Sequence, residues 1–321
     1  MVWPGTLPGE FAVRRVRRGA APTSSYWWYG GVGAVPRGAL LGVDHLANAP
    51  RRATSIGSVD VEHVIGLPHP RLRPFVTRYS GYRMHTAPGV HRGLPSRSLT
   101  LVITLDGTVD LPEGRFATLC GGLHDEAVLI THDGFQHGVQ CDLTPLGLRA
   151  LFGMPAGELS ATTVGLDALD APVCLRERVQ DAPTWLDRFA LLDELFGALV
   201  RPVKQQVEVA WAWQRLAAGA AVAEIAAEVG WSRQHLSARF AAEYGLTPKV
   251  MARVMRFENA NRMLRGERRP TLTEVAAACG YTDQAHFNRD WRALCGATPT
   301  EWIAAELPFV QGSERGQASQ W

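Results

Sequence analysis

The chain has 321 residues, of which 46% are hydrophobic and 20% charged, with a formal net charge of +2. That is enough apolar material for about two domains, and it excludes a chain disordered throughout. No run approaches about 18 consecutive apolar residues, which excludes a membrane-spanning helix. Five scattered cysteines (Cys120, Cys141, Cys174, Cys279, Cys295) argue against a disulfide framework or zinc ribbon and fit a reducing cytoplasm.

Lysine occurs only at Lys204 and Lys249, so arginine supplies almost all the positive charge. Its distribution is uneven. Residues 61–203 hold 12 basic and 16 acidic residues, whereas the window 233–292 holds 11 and 6. A local basic excess beside an acidic middle points to nucleic acid at the C-terminal end.

Residues 1–60 are rich in Gly, Ala, Pro and Arg without lasting periodicity, and read as a flexible extension. Arg14–Arg18 and Ala47-Asn48-Ala49 give a faint secretory outline, which Pro36 and Arg37 interrupt. Residues 61–183 read as a β-rich domain. Leu99, Leu101, Ile103 and Leu105 alternate with Thr100, Val102 and Thr104 at strand spacing. Asp106-Gly107 then predicts a hairpin returning through Thr108–Leu111. Ala127–Thr131, Asp133-Gly134 and Phe135–Cys141 repeat the pattern, which suggests a small barrel or sandwich. Thr144-Pro145 predicts a short helix, with threonine as cap and proline at the first position.

Residues 184–203 change period. Trp185, Phe189, Leu192, Phe196 and Leu199 form one helical stripe that predicts a linker helix usable for dimerisation, and Pro202 ends it. Residues 204–309 read as all-α, and 310–321 as a flexible tail.

The all-α part contains one motif twice. Val222-Ala-Glu-Ile-Ala-Ala-Glu-Val-Gly230-Trp231-Ser232 returns as Leu272-Thr-Glu-Val-Ala-Ala-Ala-Cys-Gly280-Tyr281-Thr282. The copies are offset by 50 residues up to the turn and by 51 after it, as in His235/His286 and Pro248/Pro299. Each has the mechanics of a helix-turn-helix. Ile225, Val229, Leu236 and Phe240 close the angle between two short helices, and Val275, Cys279, Phe287 and Trp291 repeat the set. Gly230 and Gly280 sit where a left-handed residue ends the first helix. Ser232, and Thr282 or Asp283, can cap the second. Between the copies, Pro248–Arg265 predicts a continuous helix about 27 Å long, close to one turn of B-DNA.

The tandem motif, Ala-Ala-x-x-Gly-Trp-Ser-x-x-His-Leu-Ser with Gly-Leu-Thr-Pro, then Cys-Gly-Tyr-x-Asp-x-x-His-Phe-x-Arg with Gly-Ala-Thr-Pro, resembles the DNA-binding domain of AraC/XylS-type transcription regulators. The resemblance covers about Lys204–Pro308. It implies two helix-turn-helix units reading adjacent major grooves of double-stranded DNA. It also implies a cupin-like β-rich N-terminal domain that senses a small-molecule effector, RNA polymerase as a partner, a homodimer, and more often activation than repression. The fold class is therefore multidomain α+β. Carried over by position, Gln234, Ser237 and Ala238 read bases in the first motif, and Gln284, Ala285, His286, Asn288 and Arg289 in the second. Ser232, Arg233, Arg239 and Arg292 complete the expected DNA-binding set. Ala238 stands where many relatives carry a long, often basic residue, and Arg239 either compensates or binds phosphate. Asp290 is expected to point away from DNA.

His124, Asp125, Glu126, His132, Asp133 and His137 lie within 14 residues, so a cupin-type metal enzyme is the rival class. Their spacing matches no metal motif, and Gly30-Gly31-Val32-Gly33 lacks the ending of a phosphate loop. The reading is a cytoplasmic DNA-binding regulator with no catalytic residue, metal or cofactor. Control by a protein partner in place of a small molecule stays open.

Overall fold

The computed structural model describes residues 14–15, 60–172, 174–266, 268 and 270–305. The expected extension, apart from Arg14, Arg15 and Asp60, and the expected tail lie outside the described residues.

The N-terminal part is built from two antiparallel sheets. The strands are β1 (Arg14–Arg15), β2 (Asp60–Gly66), β3 (Val76–His85), β4 (Gly89–Gly93), β5 (Leu99–Asp106), β6 (Val109–Leu111), β7 (Gly114–Phe116), β8 (Thr118–Gly121), β9 (Val128–His132), β10 (Phe135–Leu143) and β11 (Thr163–Gly165). The larger sheet has the order β1-β2-β3-β10-β5-β8-β11, and the smaller β4-β9-β6-β7.

Neither Asp-Gly turn makes the expected hairpin. Gly107 and Gly134 do adopt positive φ, +68° and +104°. However, β5 pairs with β10 on one side and β8 on the other, so both its edges are filled. The chain leaving Asp106 must therefore change sheets, and β6 pairs with β7 and β9. The second turn repeats this logic: β10 lies between β3 and β5, while β9 stays in the smaller sheet. The register His137↔Asp106 brings the two corners together. There His137 Nδ1 lies 2.7 Å from Asp106 Oδ2, edge-on to Trp185.

The helices of this part are α1 (Pro145–Phe152), α2 (Leu175–Asp181) and α3 (Trp185–Leu199). Thr144 caps α1 through Gly147 N, with proline at its start. Thr184 and Asp187 form a capping box on α3. The aromatic stripe of α3 packs against the larger sheet of its own protomer. A Cβ on Gly66 would lie 2.4 Å from the Phe189 ring, and one on Gly81 2.4 Å from the Trp185 ring. Glycine on the strands thus makes room for the helix's aromatics. Phe189 stacks on Tyr79, whose hydroxyl donates to Asp193. This corrects the expectation that the stripe is available for dimerisation: it is spent on the protomer's core, and Leu186, Ala190, Gly197 and Ala198 face outward.

The C-terminal part holds α4 (Val207–Ala217), α5 (Val222–Glu228), α6 (Arg233–Tyr244), α7 (Pro248–Arg265), α8 (Leu272–Ala278) and α9 (Gln284–Cys295). One buried hydrophobic cluster runs from Val64 through to Trp302, so the two parts share a continuous core.

Candidate nucleic-acid interface

Each repeat folds as two short helices at a glycine turn. In the first, Ile225, Leu236 and Phe240 are buried. Gly230 has φ +71°, and the Ser232 hydroxyl accepts from His235 N at 3.1 Å. In the second, Val275, Phe287 and Trp291 are buried and Gly280 has φ +74°. Of the two cap candidates Asp283 takes the role, accepting from His286 N at 2.6 Å. Capping boxes join Thr271 to Glu274 and Thr298 to Glu301. The backbone amides hold both glutamates below the usual carboxylate range. The 18-residue helix α7 connects the repeats, capped by Thr247 with Pro248 at its start.

The second helix of each repeat buries one face and leaves the other open. On α6 the open face carries Gln234, Ala238 and Ala242, with Arg233 at the N-terminus and Ser237 half-buried at its flank. The side chains of Arg233 and Gln234 make no hydrogen bond among the described residues. Arg239 turns aside, donating from Nε to Gln206 Oε1 at 3.1 Å. On α9 the open face carries Ala285, Arg289 and Arg292. The Arg289 side chain has no hydrogen-bond or ion-pair partner among the described residues.

The remaining expected contacts are partly committed within the protein. Gln284 Oε1 accepts from Thr273 Oγ1 at 2.7 Å. His286 is half-buried, edge-on to Tyr281, with Nδ1 facing Thr282 Oγ1. Asn288 is half-buried and its Oδ1 is buried without a hydrogen-bond partner among the described residues. Asp290 points away from the open face: it is 7% exposed and its Oδ1 accepts from Arg253 on α7 at 2.7 Å. This ion pair, the stacking of Arg256 over Tyr281 and the Thr273–Gln284 bond were not anticipated from the sequence. Burial and the nearby Asp290 push the Tyr281 hydroxyl well above its ordinary pKa. On the first repeat, Glu228 binds Arg215 and the Trp211 indole, which pins α5 to α4.

The profile of the family described as "Helix-turn-helix domain" matches residues 225–305. A probable transcriptional regulator, LumQ of Photobacterium leiognathi, is 29% identical over 89 residues, 28% of this chain. The match spans only 36% of LumQ's own length. The C-terminal part is a helix-turn-helix domain of AraC type. Among solved structures, the DNA-binding domain of AdpA in complex with a target DNA is 28% identical to the chain. It covers 30% of this chain and 86% of that one, with a TM-score of 0.27. ToxT from Vibrio cholerae is 9% identical, covering 70% of this chain and 97% of ToxT, with a TM-score of 0.43. Within this AraC-type domain the open faces of α6 and α9 both face outward; Arg233 lies at the start of the first, and Arg289 and Arg292 lie on the second.

The histidines considered for a metal are dispersed. His137 pairs with Asp106, His124 faces the Glu126 carbonyl, and His132 lies beside His91 with ring centroids 5.7 Å apart. Among the described residues no three His, Cys, Asp or Glu side chains form a group that could hold a metal ion. Two concave spaces among the described residues bear on ligand binding. One, of about 20 Å³, lies between the sheets beside Tyr82, Thr104 and His132. The other, of about 430 Å³, is an open apolar groove lined by Phe75, Leu146 and Val200–Val203.

Proposed function

We propose that the chain is a sequence-specific transcription regulator that binds double-stranded DNA through its AraC-type domain. The observation that carries this reading is the pair of repeat-related helices with open polar faces, joined by a helix of about 27 Å. That length suits insertion into successive major grooves on one side of a duplex. Arg289 is the foremost base-reading residue, since a free guanidinium can bond the O6 and N7 of guanine together. Arg233 and Arg292 contact phosphates, and Gln234 and Ser237 supply the polar reading of the first motif. Gln284, His286 and Asn288 shape the second surface as much as they read it, because each is tied to or partly sunk in its own motif. Ser232 acts as a cap first, and Arg239 as a strut to Gln206.

In this reading the β-rich part is a cupin-like control domain. It answers a small-molecule effector, and activation through RNA polymerase is the output. The space of about 20 Å³ between the sheets suits one water-sized guest, so an organic effector fits better in the groove near Phe75 and Val203. The regulator works in the cytoplasm, where the promoter is, and no catalysis is assigned to it. A homodimer would use the outer face of α3 and not its aromatic stripe.

Selection of random duplex DNA with the full chain tests the reading. The expected product is a site of two blocks about 10 base pairs apart, the one facing α9 more strictly defined. Binding that is salt-sensitive but blind to sequence would overturn it.

A further inference from the structure

We propose that the β-rich part is the seat of the first reading helix, and that Arg149, Gly157 and Ser160 are positioning residues for DNA contact by that helix. The inference rests on the DNA-binding reading above and adds which half of the site the N-terminal part governs.

Three contacts converge on the last turn of α6. Arg149, from α1, holds Glu243 with two bonds: Nε to Oε1 at 3.0 Å and Nη2 to Oε2 at 2.6 Å. Both side chains are largely withdrawn from solvent, 24% and 15% exposed, which strengthens a two-pronged pair. Gly157, in the 3-10 turn Ala156–Leu159, lies directly against the helix end. A Cβ at Gly157 would fall 2.5 Å from the Ala242 carbonyl oxygen and 3.1 Å from that of Ala241. The glycine is therefore required by a backbone-to-backbone approach. The Ser160 hydroxyl donates to the Gly245 carbonyl at 2.9 Å, just past the helix end. Gly245 has φ +83°, and a Cβ there would meet the Ser160 Cβ at 2.4 Å.

All three act at the C-terminal end of α6, while Arg233, Gln234, Ser237 and Ala238 lie toward its N-terminal end. A 12-residue helix is about 18 Å long, so a tilt of about 10° at the held end moves the reading end about 3 Å. That shift exceeds the narrow distance range of a hydrogen bond to a base. The β-rich part also meets α7, through Arg97 to Glu258 and Asn259, and approaches the end of α9, where Arg92 Nε would lie 3.9 Å from a Cβ on Gly296. The tight, backbone-level grip is the one on α6. Displacing it therefore disturbs the first half of the DNA site and leaves the second in place.

The test footprints the full chain on its selected site, reading the two blocks separately. Gly157→Val forces α6 from its seat. Arg149→Glu and Glu243→Arg each break the ion pair, and the double swap restores it. Folding of every variant is checked by thermal melting. Protection of the first block is expected to fall about tenfold or more in Gly157→Val and in each single charge variant. Protection of the second block should stay within about twofold, and the double swap should recover the first. Equal loss over both blocks, no loss in folded variants, or tighter binding would each overturn the proposal while leaving DNA recognition standing. If the unaltered chain protects no block at all, the DNA-binding reading fails, and this inference with it.

Discussion

Arg289 and Ala238 occupy equivalent places in the two repeats, by the 51-residue offset that relates His235 to His286. One is a guanidinium with no partner among the described residues, and the other is a methyl group. Arg289→Ala should cost about 1–3 kcal/mol on the selected site and relax the base preference opposite α9. Affinity measured by titration against the selected and a scrambled duplex checks it. Unchanged discrimination would remove Arg289 from base reading. Arg239→Ala, by contrast, should change affinity by less than about 0.5 kcal/mol, since that side chain serves Gln206. His63 on β2 and His91 on β4 make a separate prediction. Burial drops His63 and His91 from 6.5 to about 4, so both stay neutral in the folded chain. The unfolded chain takes up their protons first as pH falls. The stability tied to the neutral rings is therefore complete above about 6.5 and is lost between about 6.5 and 4. His91→Gln should flatten the decline of Tm over that range. A decline as steep as in the unaltered chain would mean that other groups drive it.

At the scale of elements, local signals were legible and partner choice was not. Thr144 and Ser232 cap helices as their sequence positions indicate, because a side-chain oxygen three residues before an amide needs nothing distant. Gly230 and Gly280 were legible for the same reason: the left-handed turn is a property of one residue. The Asp-Gly pairs do place reversals of the chain, but the strands they join do not pair as hairpins. Turn chemistry fixes the reversal, while the strands already filling the edges of β5 and β10 decide where the chain goes next. Likewise the stripe on α3 was legible as an apolar face, but a periodic face does not say whether it meets the same protomer or another. Gly66 and Gly81 carry that answer, being the floor under Phe189 and Trp185. Gly81→Ala should cost about 1–3 kcal/mol by overpacking against Trp185. A chemical-denaturation midpoint equal to that of the unaltered chain would show that the ring moves aside freely.

At the scale of the whole molecule, the sequence announced the AraC-type domain through a repeat but gave no sign of how it meets the β-rich part. Arg149 and Glu243 are 94 residues apart, Arg97 and Glu258 161. No periodicity couples such distant charges. Yet these pairs close the boundary of a core that runs unbroken through both parts. Asp290 and Arg253 likewise join α9 to α7 within the C-terminal part, where the sequence indicates only that the acid points away from DNA. A shared core with buried-edge ion pairs should make the two parts unfold together. Arg97→Ala with Arg149→Ala leaves Glu258 and Glu243 short of their partners at 24% and 15% exposure. Each loss is worth about 1–2 kcal/mol, and the two sites should add because they share no partner. Calorimetry of the unaltered chain should give one transition. The double variant should give two, the AraC-type domain melting first because α6 and α7 have lost their outer supports. A single transition at an unchanged temperature would mean that the apolar contacts alone couple the parts, and that the charged pairs only orient them.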